Sequence, residues 1–204
     1  FSVERQYVNE LPIVPMNLIN LDETIIVADS KEGWAWSLRT LITSLYNGVV
    51  PKWDVTRVRP AGAKLRTFGG RASGPAPLVD LFQFVVSKFK EASGDRLTSL
   101  HCHDIMCKIG EVVVVGGVRR SAMISLSNLS DDRMRHAKSG AYWEANGQRN
   151  LANNSVAYTD KPESLIAKLH RTKQLKMVGE MLAMSLEQIR QWRLSGETHS
   201  EELR

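Results

Sequence analysis

The sequence predicts an α/β fold followed by an α-helical tail, and three observations carry that expectation. Short β-branched runs, ETIIVAD (23–29), AMISLSNL (122–129) and LANNSVAYT (151–159), alternate with amphipathic segments of helix length. Turn and cap residues punctuate them: Ser30, Asn47-Gly48 and Gly94 stand at helix ends. The composition then changes after Pro162, since residues 163–204 hold no proline and two glycines.

Taken in order, FSVERQYV (1–8) alternates apolar and polar residues and reads as a strand. After ETIIVAD, Ser30 reads as the N-cap of a helix over WAWSLRTLITSLYNG (34–48). That helix places Trp36, Leu38, Leu41, Leu45 and Tyr46 near one face. VVPKWDVTRVRP (49–60) is extended, because each proline biases its predecessor away from helix. Residues 61–78 form a loop rich in Gly, Ala and Pro, with a short strand expected at KLRTF (64–68). LVDLFQFVVSKFKEAS (78–93) repeats its apolar residues at three and four positions and reads as a helix, as does LTSLHCHDIMCKIGEVVVV (97–115). AMISLSNL alternates as a strand, Asn128–Asp132 can cap a helix over DDRMRHAKSG (131–140), and LANNSVAYT is extended again. Pro162 is the domain boundary: residues 1–162 form one unit and 163–204 a helical tail.

Composition limits the function classes. The chain has 204 residues, 43% hydrophobic and 24% charged, which is ordinary globular composition. It contains no apolar run long enough to span a membrane. Two cysteines, Cys102 and Cys107, are too few for a disulfide-stapled secreted fold and point to a reducing cytoplasm. A formal net charge of +5 suits partners bearing phosphates, nucleotides or nucleic acid. The first residue is Phe1, which opens directly into a strand-like run and reads as the start of a truncated or processed chain.

Four segments are candidates for chemistry. In FGGRASGP (68–75), small residues permit close backbone approach and Arg71 can pair with a phosphate; the same pattern also suits a surface turn with a solvated arginine. In VVVVGGVRRS (112–121), an apolar element delivers a glycine pair and two guanidinium groups. That suits either a loop presenting cations to an anionic or planar ligand, or a solvated basic loop. It is not a phosphate loop of the Walker type, which needs Lys-Ser/Thr after its last glycine. His101, Cys102, His103 and Cys107 sit in one helix, where only His103 and Cys107 share a face, so buried thiols are expected rather than a metal centre. In the tail, LKMVGEMLAMSLEQIRQWRLSG (175–196) reads either as a helix-turn-helix or as an amphipathic helical pair packing on another surface. In the first case Gln188, Arg190, Gln191 and Arg193 would face DNA.

Several of these stretches occur together in a family. GGRASGPAPLVDLFQ, HDIMCKIGEVVVVGGVRRSAMISLSNLSDDRMRHAKSG and LANNSVAYT resemble the barrel region of adenosylcobalamin-dependent (class II) ribonucleotide reductases, and the likeness extends through VADSKEGWAWSL and PKWDVTRVRP to FSVERQ. The resemblance implies part of a ten-stranded α/β barrel over residues 1–162. It implies an enzyme that replaces the ribose 2′-hydroxyl with hydrogen by thiyl-radical chemistry, supplying deoxyribonucleotides for DNA synthesis. Adenosylcobalamin would be the radical source, a ribonucleoside di- or triphosphate the substrate, a deoxynucleotide the effector and a thioredoxin-type protein the reductant.

Residue by residue, the carry-over is narrower. Gly116, Gly117, Val118, Arg119, Arg120 and Ser121 resemble the specificity loop between effector and substrate base, the glycines serving as hinges and the arginines as relay. Asp29 and Ser30 resemble the neighbourhood of the effector pocket, and Arg66, Arg71 and Ser73 a segment close to the nucleotide. The family's Asn-Pro-Cys-Gly-Glu motif, which carries the radical cysteine, does not occur, and neither Cys102 nor Cys107 matches a catalytic position. No catalytic residue is therefore assigned, and the chain alone is expected to be inactive, needing the remaining reductase segments. The rival expectation is a DNA-binding protein of a mobile element, of intron or intein type, with reductase sequence fused upstream.

Overall fold

The computed structural model describes residues 1–64, 70–112 and 123–157. The expected strand over 64–68 and the tail 163–204 lie outside the described residues, apart from Lys64 and the strand's first bridge, from Lys64 to Arg71.

The first half is a βαβ unit. β1 (Ile19–Ile26) pairs in parallel with β2 (Val49–Asp54), and α2 (Lys31–Tyr46) makes the crossover between them. Parallel pairing requires such a crossover, and a helix is the usual solution. The Ser30 hydroxyl accepts the Gly33 amide at 2.9 Å, so the expected N-cap forms. Gly33 is also required there, because a Cβ would lie 2.7 Å from the Ala28 carbonyl oxygen. α3 (Ala76–Glu91) follows and buries Leu78, Leu81, Phe82, Val85, Val86 and Phe89, the i, i+3, i+4 stripe anticipated from the sequence. These side chains meet Leu41 and Leu45 of α2 and Ile25 and Val50 of the strands in one apolar core. Phe82 is tilted edge-on to Trp53, and Phe89 to Tyr46, at centroid distances of 5.6 and 4.9 Å.

The second half is built on α4 (Ser99–Val112) and a two-stranded parallel sheet of β3 (Met123–Asn128) and β4 (Ala152–Ala157), paired in register from Met123–Ala152 to Asn128–Ala157. Between the strands run the single turns α5 (Asp132–Arg135) and α6 (Tyr142–Asn146) and a 3-10 turn over Gly147–Leu151. Asp131 caps α5 by accepting the Met134 amide at 3.1 Å.

Three sequence expectations are corrected. FSVERQYV is not a strand: Ser2 bridges Leu126, Val3 donates to the Leu126 carbonyl, and Arg5–Val8 turns into a single helical turn, α1. The helix expected over 131–140 ends at Arg135. Trp36, placed on the apolar face of α2, is 59% exposed, because the buried stripe runs through Ser37, Leu41 and Leu45, one position round the helix. The mixed α/β organisation is as expected; the ten-stranded barrel of which this would be part is not shown, and the described residues form two sheets of two strands each.

Candidate nucleotide-binding site

The carboxyl ends of parallel strands, beside the amino end of a crossover helix, are where open α/β sheets bind ligands. Here that place is formed by Val27–Ser30 after β1, the turn after β2 and the start of α2. Val27 continues the pairing by donating to the Asp54 carbonyl at 2.9 Å. Asp29 then accepts from Arg59 Nε at 2.8 Å, an ion pair about one-third exposed on both sides. Arg59 leads into Ala61, and Gly74, at φ +75°, packs so closely on Ala61 that a Cβ would lie 2.8 Å from its amide nitrogen. The loop is closed by Gly62 donating to Ala72 and Ala72 to Ala63, at 2.9 and 2.8 Å, and by Arg71 Nη1 donating to the Gly62 carbonyl at 2.9 Å.

The two candidate pieces, Asp29–Ser30 and Arg71–Ser73, are thus joined through Arg59–Ala61 at one strand end. The Ser30 hydroxyl caps α2, and Arg71 is exposed on the closed loop. The Ser73 hydroxyl reaches only the Gly74 carbonyl, at 3.4 Å. Arg66, the loop Gly116–Ser121, and Gln188, Arg190, Gln191 and Arg193 lie outside the described residues. Arg59 was not singled out from the sequence; its partner lies 30 positions away, and no local pattern marks it.

Arg119 and Arg120 fall in sequence between α4 and β3, and α4 is tied to β4 by a buried polar network. Asp104 receives Arg149 Nε and Nη2 on its two oxygens, each at 2.6 Å, and Arg149 Nη1 donates to the Ala137 carbonyl at 2.7 Å. The ring of His103, fully buried, lies 3.4 Å from Asp104 Oδ1 and 3.0 Å from Asn154 Oδ1 of β4. Burial alone would raise the Asp104 pKa, but the Arg149 and His103 hydrogen bonds and charges outweigh it and hold the carboxyl below its ordinary value. Cys107 Sγ lies 3.8 and 3.7 Å from the two ring nitrogens of His103, so these two do share a face. Burial pushes both thiols up to about 11, which leaves them protonated at neutral pH. Among the described residues no group of three His, Cys, Asp or Glu could hold a metal ion, and no helix is long and apolar enough to cross a membrane.

Residues 18–88, the βαβ unit and most of α3, match the family model described as "B12-dependent ribonucleotide reductase, insertion domain". The chain is 36% identical over 156 residues to the adenosylcobalamin-dependent ribonucleoside-triphosphate reductase of Lactobacillus helveticus, covering 71% of this chain and 20% of that protein. It is 37% identical over 142 residues to the reductase of the same description from Lactobacillus acidophilus, covering 65% of this chain and 18% of that protein. A crystal structure of a B12-dependent (class II) ribonucleotide reductase superposes with a TM-score of 0.64 at 25% identity, over 78% of this chain and 26% of that one.

Over most of its length the chain is similar to class II ribonucleotide reductases.

It spans about a fifth of the length of these curated relatives. The family model singles out residues 18–88 within what the sequence alone presented as one unit, so the Asp29–Arg59 strand end and the Gly74 loop belong to the matched insertion-domain stretch. The second sheet, with the Asp104–Arg149 network, lies beyond that stretch.

Proposed function

We propose that this chain is the nucleotide-binding and allosteric portion of an adenosylcobalamin-dependent ribonucleoside-triphosphate reductase, completed by the remaining segments of the catalytic barrel. The likeness to triphosphate reductases over most of the chain supports the activity and favours triphosphate over diphosphate substrates. The observation that carries the barrel is the sheet of β3 and β4. Ser125 and Ser127 are buried on one face, whereas Ile124 and Leu126 on the other are 56% and 36% exposed. Parallel strands are ordinarily covered on both faces, so an apolar outer face of this kind belongs to a larger closed sheet, in keeping with a ten-stranded barrel.

In this reading the Asp29–Arg59 strand end and the Arg71–Ser73 loop lie near a deoxynucleotide effector, and Gly116–Ser121 is the relay that lets effector identity set substrate preference. The reductant is a thioredoxin-type protein and the setting cytoplasmic. Adenosylcobalamin, when bound, supplies the carbon-centred radical that starts the chemistry. One open groove among the described residues, lined by Arg5, Asp95, Arg96, Asp131, Asp132 and Arg133 among others, is mainly polar and ionic and does not fit the broad apolar faces of a corrin. The cofactor belongs to the complete enzyme. The mobile-element reading gains nothing from the relatives and the solved structure described above, all of them reductases.

The test is a substitution in the complete enzyme. Arg119→Ala and Arg120→Ala are expected to reduce the effector-dependent change in substrate preference by about 5- to 150-fold, the range of common coupling free energies, while effector-free turnover changes far less. Competition assays with paired ribonucleotides, with and without each deoxynucleotide, read this directly. An unaltered preference pattern in both variants removes the loop from the relay.

A further inference from the structure

The buried network beneath the second sheet asks for an explanation beyond stability. Removing a carboxylate and a guanidinium from water costs several kcal/mol per ion, and buried pairs often stabilise no better than apolar residues of the same volume. What such a pair does supply is one geometry: two parallel hydrogen bonds fix distance and angle together. Here the pair ties three elements. Asp104 is on α4, Arg149 is on the 3-10 turn, and His103, next to Asp104, reaches Asn154 on β4. Arg149 also holds the Ala137 carbonyl, which fixes the chain between α5 and α6. β4 in turn pairs with β3 along six residues.

The consequence lies at the end of α4. α4 is described as far as Val112 and β3 from Met123, so in sequence the residues that include Arg119 and Arg120 lie between these two elements. The two elements touch directly. A Cβ on Gly110 would meet Met123 Cε at 2.5 Å and Leu151 Cδ1 at 3.7 Å, so the glycine lets the thioether lie against the helix. Any slip of α4 along the sheet would move one element relative to the other. The ion pair, placed two turns back along α4, opposes that slip.

We propose that the Asp104–Arg149 pair, with His103 and Asn154, is a positioning element that fixes α4 against the β3–β4 sheet, and so sets the spacing of the two elements between which Arg119 and Arg120 lie in sequence. This rests on the relay reading above and adds residues to it that touch neither nucleotide. The network is a positioning device and not a catalytic group, so effector response must suffer more than turnover.

Two variants of the complete reductase test it. Asp104→Asn keeps the shape and removes the charge. Because that leaves Arg149 buried and unpaired, the double variant Asp104→Leu/Arg149→Met is made beside it, since replacing both charges by apolar groups is often neutral for folding. In each folded variant the effector-dependent discrimination between substrates is expected to fall by at least about fivefold, with effector-free kcat largely kept and the thermal midpoint recorded separately. If neither folds, Asn154→Ala, which removes only the link from His103 to β4, carries the same expectation. Discrimination equal to the parent in a folded variant, whatever its thermal midpoint, overturns the proposal. The Arg119→Ala/Arg120→Ala variant separates the two readings: if it too discriminates like the parent, the relay itself has failed. If it loses discrimination while the network variants keep theirs, only the positioning role has failed.

Discussion

Purified 204-residue chain, supplied with adenosylcobalamin, a ribonucleoside triphosphate and a dithiol, is expected to form no deoxynucleotide. Ribonucleotide reduction by this family needs a cysteine that becomes a radical and a further pair that delivers two electrons. The chain has Cys102 and Cys107 and no others. Both are on α4, Cys107 buried against His103, and both have thiols pushed up to about 11 by burial. The thiolate is the reactive form, and at neutral pH almost none is present on either. Their spacing of five on a helix also turns the side chains apart by about 140°. Measuring deoxynucleotide by chromatography after prolonged incubation checks this, and turnover above the enzyme-free blank would mean that one of these thiols is catalytic. The same logic predicts that both cysteines can be replaced by alanine in the complete enzyme with a loss of stability, about 1–3 kcal/mol, and retained turnover.

Arg149→Ala is expected to have the largest effect on folding. It leaves Asp104 buried and without either of its 2.6 Å partners, and breaking a buried pair from one side costs about 3–5 kcal/mol. That is a large share of the stability of an ordinary domain, about 5–15 kcal/mol, so the variant should melt far below the parent or fail to fold. Chemical denaturation followed by tryptophan fluorescence measures it; a midpoint within experimental error of the parent would mean that the pair is not formed. The pH dependence follows from the same carboxylate. Its folded pKa is held below the ordinary value, chiefly by Arg149 against the opposing effect of burial. The unfolded chain therefore binds the proton more readily. The stabilisation is complete above the unfolded value of about 3.9 and is lost as pH falls through the lowered folded value. Arg149→Ala should abolish that part of the acid sensitivity.

Local chemistry was legible in the sequence, and long-range pairing was not. Ser30 and Asp131 cap helices because an N-cap needs only a side-chain oxygen and an amide two or three residues on. α3 was readable because six apolar side chains recur on one face. FSVERQYV misled because alternation over eight residues fits a strand, whereas only Phe1 to Val3 pair with β3 and Arg5 instead donates its amide to Asn128. Trp36 was misplaced by one helical position, which its size concealed. The Asp29–Arg59 and Asp104–Arg149 pairs span 30 and 45 residues. Nothing within a helical turn or a strand of either residue announces its partner. The spacing of four that puts His103 and Cys107 on one face carries no sign of Asp104, whose partner Arg149 organises the network from 45 residues away.

The central claim, that this chain is part of an adenosylcobalamin-dependent reductase controlled by deoxynucleotides, is tested most directly by turnover of the complete enzyme containing it. The measurement is deoxynucleotide formation from each ribonucleoside triphosphate, with and without adenosylcobalamin and each deoxynucleoside triphosphate. The account predicts turnover that requires the cofactor and a base preference that changes with the effector. Reduction that proceeds without adenosylcobalamin, or a preference indifferent to every deoxynucleotide, would contradict it.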